Sequence, residues 1–484
     1  MTTSVLRGAV AALVAACGVA CSSEPEPLPD GGVARDSGAD AAAGRDASSG
    51  ADAQADGGVT PAPDAGAVDD TTPIVDRPSR GTYSCSLTTP RVDLKPRQWG
   101  SWGHDMVTTT GGAAFLVRSE STPPNPFDPA PVDFLASPMT ADGMLGVGVR
   151  VTDGSPDDVR SPATATRGSG FAVLWIEGGA FRFAGFDAAG ARVVAPVRIE
   201  AGALDDYRSR PRIVEGADGG FGVAFVRPSA GGDSAELWWL SLDASGVRRG
   251  MPRRLAQVTG FNVDPSPSVA RADGGFAVVW RERVGDRDRV VFAKLDALGA
   301  EVQASRVIAT APDADVALAG RGGFERPRIA LLAVPSGFVA AWPEVEPGDI
   351  QQGTGAFAIV RIVSLDAAGV ARAAPVAMRA STVDIDEIEP SLVRFADDAV
   401  GVLWARGSHI YICGGCTPDH RIDLVLVDPS SLARLSDVVS VSPGPAGGLL
   451  NKDVAVLGAR ILTAFEVTFH VHGEPGSAAF TCTR

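Results

Sequence analysis

Across 484 residues there is no later stretch of about 20 uninterrupted apolar residues, so no segment is built to cross a bilayer as a helix. Helical periodicity over a dozen residues is hard to find anywhere, which leaves strands and turns to build the fold. The sequence holds no His-Glu-x-x-His, no Gly-x-Ser-x-Gly, no phosphate-binding Gly-rich Lys loop and no EF-hand loop. Those absences remove the common signatures of zinc peptidases, serine hydrolases, nucleotide-binding proteins and calcium sensors. No cofactor is expected. The formal net charge is −15, which opposes binding to a phosphate backbone, so nucleic acid is not an expected partner.

The segment 1–80 is of two non-globular kinds. Residues 1–21 read as an export signal, with Arg7 as its positive start, a short apolar run from Gly8 to Ala16, and small residues before a cysteine. The segment resembles a bacterial lipoprotein signal. Val14-Ala15-Ala16-Cys17 and Gly18-Val19-Ala20-Cys21 both offer a lipidation cysteine, and an ordinary cleaved signal is the other reading. Residues 22–80 are dominated by Asp, Ala, Gly, Pro and Ser, without aromatics, and cannot bury enough apolar surface to offset chain entropy. This expected disordered linker carries 12 acidic and 4 basic residues, a net −8 that makes up most of the acidity. The expected product is an extracytoplasmic lipoprotein of the outer membrane or cell surface, tied to the membrane only through its lipid. A monomer is expected.

From residue 81 onward, short apolar runs are punctuated by Gly, Pro and Asp, the texture of strands and turns. One unit recurs. Pro211-Arg-Ile-Val leads into Asp218-Gly-Gly-Phe-Gly-Val-Ala-Phe225, and Pro267-Ser-Val-Ala leads into Asp273-Gly-Gly-Phe-Ala-Val-Val-Trp280. Pro162, Pro327 and Pro390 open the same pattern, which ends in Trp175, Trp342 and Trp404. Weaker copies end in Phe115 and Phe465, so that an aromatic anchor returns about every 58 residues, a period typical of repeat architectures with long loops. A second motif closes each unit: Phe186-Asp187-Ala-Ala-Gly190, Leu242-Asp243-Ala-Ser-Gly246, Leu295-Asp296-Ala-Leu-Gly299 and Leu365-Asp366-Ala-Ala-Gly369, with Val427-Asp428-Pro-Ser as a variant. Asp can bond the backbone that follows it and Gly supplies positive φ, so these are hairpin turns. Each unit therefore reads as four strands. Seven such units predict an all-β, seven-bladed β-propeller over 81–484, with a run of β-sandwiches as the other fold. The Gly-Gly-Phe-x-Val-x-Trp and Leu-Asp-x-x-Gly repeats resemble those of large bacterial surface proteins with propeller domains, which implies architecture and little about function.

Four cysteines belong to the body. Cys85 lies in a strand-like segment at its start and Cys482 in one at its end, and pairing them would clasp a circular fold. Two buried thiols are the alternative. His409-x3-Cys413-Gly-Gly-Cys416-x3-His420 has a zinc-like composition. Gly-Gly at its tip predicts a hairpin, however, and its extended arms would hold the histidines too far away to share one ion with the cysteines. A local Cys413–Cys416 disulfide is the expectation.

Arg210, Arg326 and Glu389, directly before repeat prolines, and Asp264, before Pro265 just upstream of Pro267, would ring one mouth of a central channel, with Tyr207 and Arg208 nearby. A solvated or structural ring of charges competes with a ligand-binding one. The functional expectation is a non-enzymatic, envelope-anchored binding or scaffold module that presents a propeller face to a protein or glycan. The rival is an extracytoplasmic glycan hydrolase or lyase with carboxylates at the channel.

Overall fold

The computed structural model describes residues 72–93, 104–121, 132–154, 159–202, 204, 209–228, 234–259, 265–285, 287–312, 328–346, 357–379, 385–408, 421–441, 448–469 and 472–484. The signal, most of the linker, both candidate lipidation sites (Cys17 and Cys21) and the His409–His420 segment lie outside them.

Seven antiparallel sheets of four strands account for every strand among the described residues. Blade 4 shows the plan: Ser268–Ala272, Gly275–Val284, Arg287–Asp296 and Arg306–Pro312, paired in sequence order. Each blade's first strand touches the first strands of both neighbours, and the first strand of blade 7 returns to that of blade 1. The result is a closed ring, a seven-bladed β-propeller. Blade 7 combines Gly448–Leu457, Arg460–Phe469 and His472–Thr483 with Ser84–Asp93 from the start of the body. In that last pairing Cys85 stands opposite Cys482, and the two form a disulfide across a sequence separation of 397.

Burial falls from the inside outward. Gly170–Glu177, a second strand, is buried along its whole length, whereas Arg192–Ile199, the fourth strand of the same blade, is largely open. Second strands have a neighbouring blade against each face, so they read as continuous apolar runs rather than alternating ones. The apolar side chains form seven clusters, one at each interface between blades. Trp175, Trp280, Trp342 and Trp404 are each 1 % exposed or less, and each fills such an interface. The blade 7–blade 1 cluster differs, because it is built from Met, Leu and Ala without an aromatic ring.

Strand register corrects one anchor. The aromatic ring stands at the same place in six blades, on Trp175, Phe225, Trp280, Trp342, Trp404 and Phe465, counted from Gly170, Gly220, Gly275, Gly337, Ala399 and Arg460 respectively. In blade 1 the equivalent of Gly220 is Ala113, since Thr109 and Ala113 close the turn as Gly216 and Gly220 do. Arg118 therefore occupies the anchor position. Phe115 sits earlier in the strand, in the place of Gly222, where it packs on Phe171 with ring centroids 4.5 Å apart.

The chain meets the body before residue 80. Ile74, in the short 3-10 turn Ile74–Asp76, is fully buried in the cluster between blades 5 and 6. Arg434 Nη1 donates to the carbonyls of Val75 (2.7 Å) and Arg77 (3.2 Å), and Val75 N donates to Met378 O (2.9 Å). Residues 72–83 thus run as a strap over two blades before pairing into blade 7.

Candidate functional site

In a four-stranded meander the connections fall at two ends of the blade. Strands 1 and 2, and strands 3 and 4, are joined at one end by tight turns. Strands 2 and 3, and successive blades, are joined at the other. First strands begin at this second end, so the residues around their prolines lie toward that end of the blades.

Seven equivalent positions on the first strands are set by pairing one residue short of the anchor position: Asp105, Ala163, Arg212, Ser268, Ala330, Ser391 and Asp453. All except Ala163 line one central cavity, joined by Arg328 and Glu389. It offers about 200 Å³ to water, room for one small polar group or sugar unit rather than a large ligand. A smaller recess beside it is lined by Arg210, Arg212, Ser266, Pro267 and Arg328.

Two of the cavity's carboxylates, Asp105 and Asp453, already accept hydrogen bonds. Asp105 Oδ2 accepts from the Thr164 backbone N–H (2.6 Å) and hydroxyl (3.1 Å), which ties blade 1 to blade 2. Asp453 Oδ1 accepts from Arg328 Nη1 (3.3 Å), and His104 Nε2 lies 3.4 Å from its other oxygen. Burial, then the nearby charge of Asp453, pushes the Asp105 carboxyl up to about 6, against the pull of Arg212, the Thr164 N–H and Arg328. Arg212 is different. Burial and Arg328 lower its pKa to about 10, so it stays protonated at neutral pH. Its guanidinium makes no hydrogen bond or ion pair to the described residues, although it feels the charges of Asp105 and Asp453. Ser268 Oγ accepts from Leu331 N (3.1 Å), leaving its own proton to donate.

Backbone strain gathers here too. Ser161, Ser266 and Glu389 have φ of 50°, 43° and 52°, and each immediately precedes one of the repeat prolines, Pro162, Pro267 and Pro390. Left-handed backbone at a non-glycine residue costs about 1–3 kcal/mol and concentrates at functional sites. The kink at Glu389 coincides with a register shift between Ile388 and Ser391, and Glu389 itself lines the cavity.

Of the channel-mouth residues expected from the sequence, Arg210 and Glu389 fall at the two recesses just described. Tyr207, Arg208, Asp264 and Arg326 lie outside the described residues, as do His409, Cys413, Cys416 and His420. Among the described residues no group of three or more His, Cys, Asp or Glu side chains is arranged to hold a metal ion. Sequence reasoning missed Arg212, Ser268, Ser391, Asp105 and Asp453. The signal was present: Arg212, Ser268 and Ser391 directly follow the repeat prolines.

No family model and no curated protein matches this sequence. Solved structures do. A protein of unknown function from Dyadobacter fermentans is 10% identical, covering 83% of this chain and 100% of its own, with a TM-score of 0.46. Polysaccharide lyase Uly1 is 10% identical over 86% of this chain and 98% of its own, with a TM-score of 0.45. The Hadza microbial sialidase Hz136 is 13% identical over 70% of this chain and 65% of its own, with a TM-score of 0.41. At these identities and scores the likenesses carry no argument about this chain, whose fold rests on its own strand order.

Proposed function

We propose that the protein is an envelope-anchored recognition module, held by the lipid-bearing cysteine at 17 or 21 and presenting the channel face to a glycan or protein partner. One observation carries the reading. Asp105 is engaged by Thr164 of the adjoining blade 2 and Asp453 by Arg328 from across the ring, while Arg212 spends none of its donors on the described residues. A site of this kind is organised to grip rather than to transfer protons. The test is a binding screen of the soluble body against oligosaccharides and peptides, with Arg212→Ala and Arg210→Ala. Loss of the captured ligand in these variants supports the reading, and unchanged binding by both overturns it.

A second reading rests on Asp105 and Asp453 lining one cavity. Two carboxyl groups in one cavity, one raised to about 6, match the pattern of a glycan hydrolase or lyase that divides acid and base roles. New reducing or unsaturated ends from a polysaccharide panel, abolished by Asp105→Asn, would establish it in place of the first.

A further inference from the structure

We propose that the central cavity receives a uronate, the carboxylate-bearing sugar of an acidic glycan, with Arg212 as the group that holds the carboxylate. This rests on the recognition reading above and names its ligand class.

Arg212 stands on a first strand whose backbone is paired to Ala224, in the middle of the ring. Its position is thus set by the rigid part of the fold rather than by a connection. A planar guanidinium with donors to spare matches a carboxylate in two parallel bonds, and does so more strongly away from bulk water. Arg328 adds a second positive charge to the same cavity.

The remaining lining decides between kinds of anion. Asp105, Asp453 and Glu389 bring acceptors to the same space, and Ser268 and Ser391 bring hydroxyls. A ligand that is only an anion would meet repulsion from three carboxyl groups. A uronate carries its carboxylate beside several hydroxyl donors, so it can meet Arg212 with one and the acidic side chains with the others. An acidic peptide side chain offers no such donors next to its charge. The volume agrees, since about 200 Å³ accommodates one sugar unit and excludes a folded protein element. The strained backbone at Glu389 places one of these acceptors at the cavity.

The experiment is calorimetric titration of the folded protein with a galacturonate trisaccharide, its carboxyl-reduced neutral counterpart and a glutamate hexapeptide. Arg212→Gln, Arg212→Lys and the outer-edge control Arg253→Gln are compared with the parent. Arg253 lies exposed on the fourth strand of blade 3, far out along the blade from the cavity. The uronate is expected to bind and the neutral sugar to bind far more weakly. Arg212→Gln should reduce uronate affinity by about ten- to a hundredfold, Arg212→Lys by less, and Arg253→Gln not at all. Binding should persist at raised salt, because a recessed pair is screened less than a surface one. Equal binding of the neutral sugar, or an Arg212→Gln variant with parental melting behaviour and parental affinity, overturns the uronate while leaving glycan recognition standing. Equal binding of the hexapeptide, lost in Arg212→Gln, overturns the sugar and assigns the cavity to an acidic protein segment. Absence of binding to all three overturns the inference, and the broader screen then decides the recognition reading separately.

Discussion

At the residue scale the informative group is Asp105, because its ionisation couples the cavity to the stability of the ring. The groups that face it are Asp453 from blade 7, Arg212 from blade 3, Thr164 from blade 2 and Arg328 at the start of blade 5. Its folded pKa of about 6 lies above its ordinary value of 3.8, so the native state binds this proton more tightly than the unfolded chain does. The stability it contributes is complete below about pH 4 and is lost as pH rises through 6, an effect of at most about 3 kcal/mol. Asp105→Asn, whose amide oxygen can still accept from Thr164, should therefore flatten the fall in urea midpoint between pH 4 and pH 7. Parallel pH profiles for parent and variant would contradict this. The same raised carboxyl predicts that anion affinity weakens as pH passes 6, since a second charge then appears near Arg212.

At the scale of the element, the repeat motifs are explained by contacts that leave no room for a side chain. Gly275 opens the second strand of blade 4 where a Cβ would lie 2.0 Å from the Leu295 carbonyl oxygen of the adjoining strand. That close approach is why glycine precedes the phenylalanine in the repeat. Gly299, at the end of Leu-Asp-x-x-Gly, has φ of +85°, and a Cβ there would lie 2.0 Å from Cδ1 of Trp239 in the preceding blade. The aspartate does the local work, with Asp296 Oδ1 accepting from Leu298 N (2.9 Å) and Ala300 N (2.8 Å). Both the conformation and the space are thus reserved for glycine. Gly299→Ala should cost more than about 2 kcal/mol, read from the denaturant midpoint, and a neutral result would show that the turn can move off the ring.

At the scale of the whole molecule, the ring is closed by two unlike devices. Inside blade 7 the Cys85–Cys482 disulfide covalently fastens the first body strand to the last. Cys482→Ser should destabilise the protein by about 2–5 kcal/mol, because the unfolded chain is released from a loop of nearly the whole body. An unchanged melting temperature would count against the clasp. The seam between blades 7 and 1 has no such bond. It relies on small apolar residues and on polar ties, such as Ser477 Oγ donating to Gly143 O (2.7 Å) and Arg460 reaching Ala141 O (2.8 Å). Without an aromatic ring it buries less apolar area than its neighbours, so it is the place where the ring should open first. Hydrogen exchange should show the backbone amides of Ala114–Ser121 and Arg460–Phe469 exchanging faster than those of Gly170–Glu177 and Gly275–Val284. Equal protection would remove the seam from consideration.

The seven-fold repeat, its four strands and its two turn types were legible in the sequence because each depends on contacts a few residues apart. Asp296 and Gly299 make their turn almost by themselves, so the motif alone places it. The pairing of Cys85 with Cys482 was legible for a related reason, since each sits in a strand-like segment at an end of a circular fold. Tertiary structure decided the rest. Arg118 rather than Phe115 holds the anchor position in blade 1, because register depends on how the 109–113 turn closes and not on where an aromatic happens to fall. The residues after the prolines, not only those before them, line the cavity, because depth along a first strand is set by its neighbours around the ring. Above all, the place after a repeat proline does not distinguish Arg212 from Arg328, which follows Pro327. What sets it apart is that Asp105 and Asp453, far from it in the chain on either side, come close enough to polarise its surroundings yet are held by Thr164 and Arg328 instead. Which donors remain unspent is a property of the assembled ring, where seven distant strands meet, and no single repeat contains it.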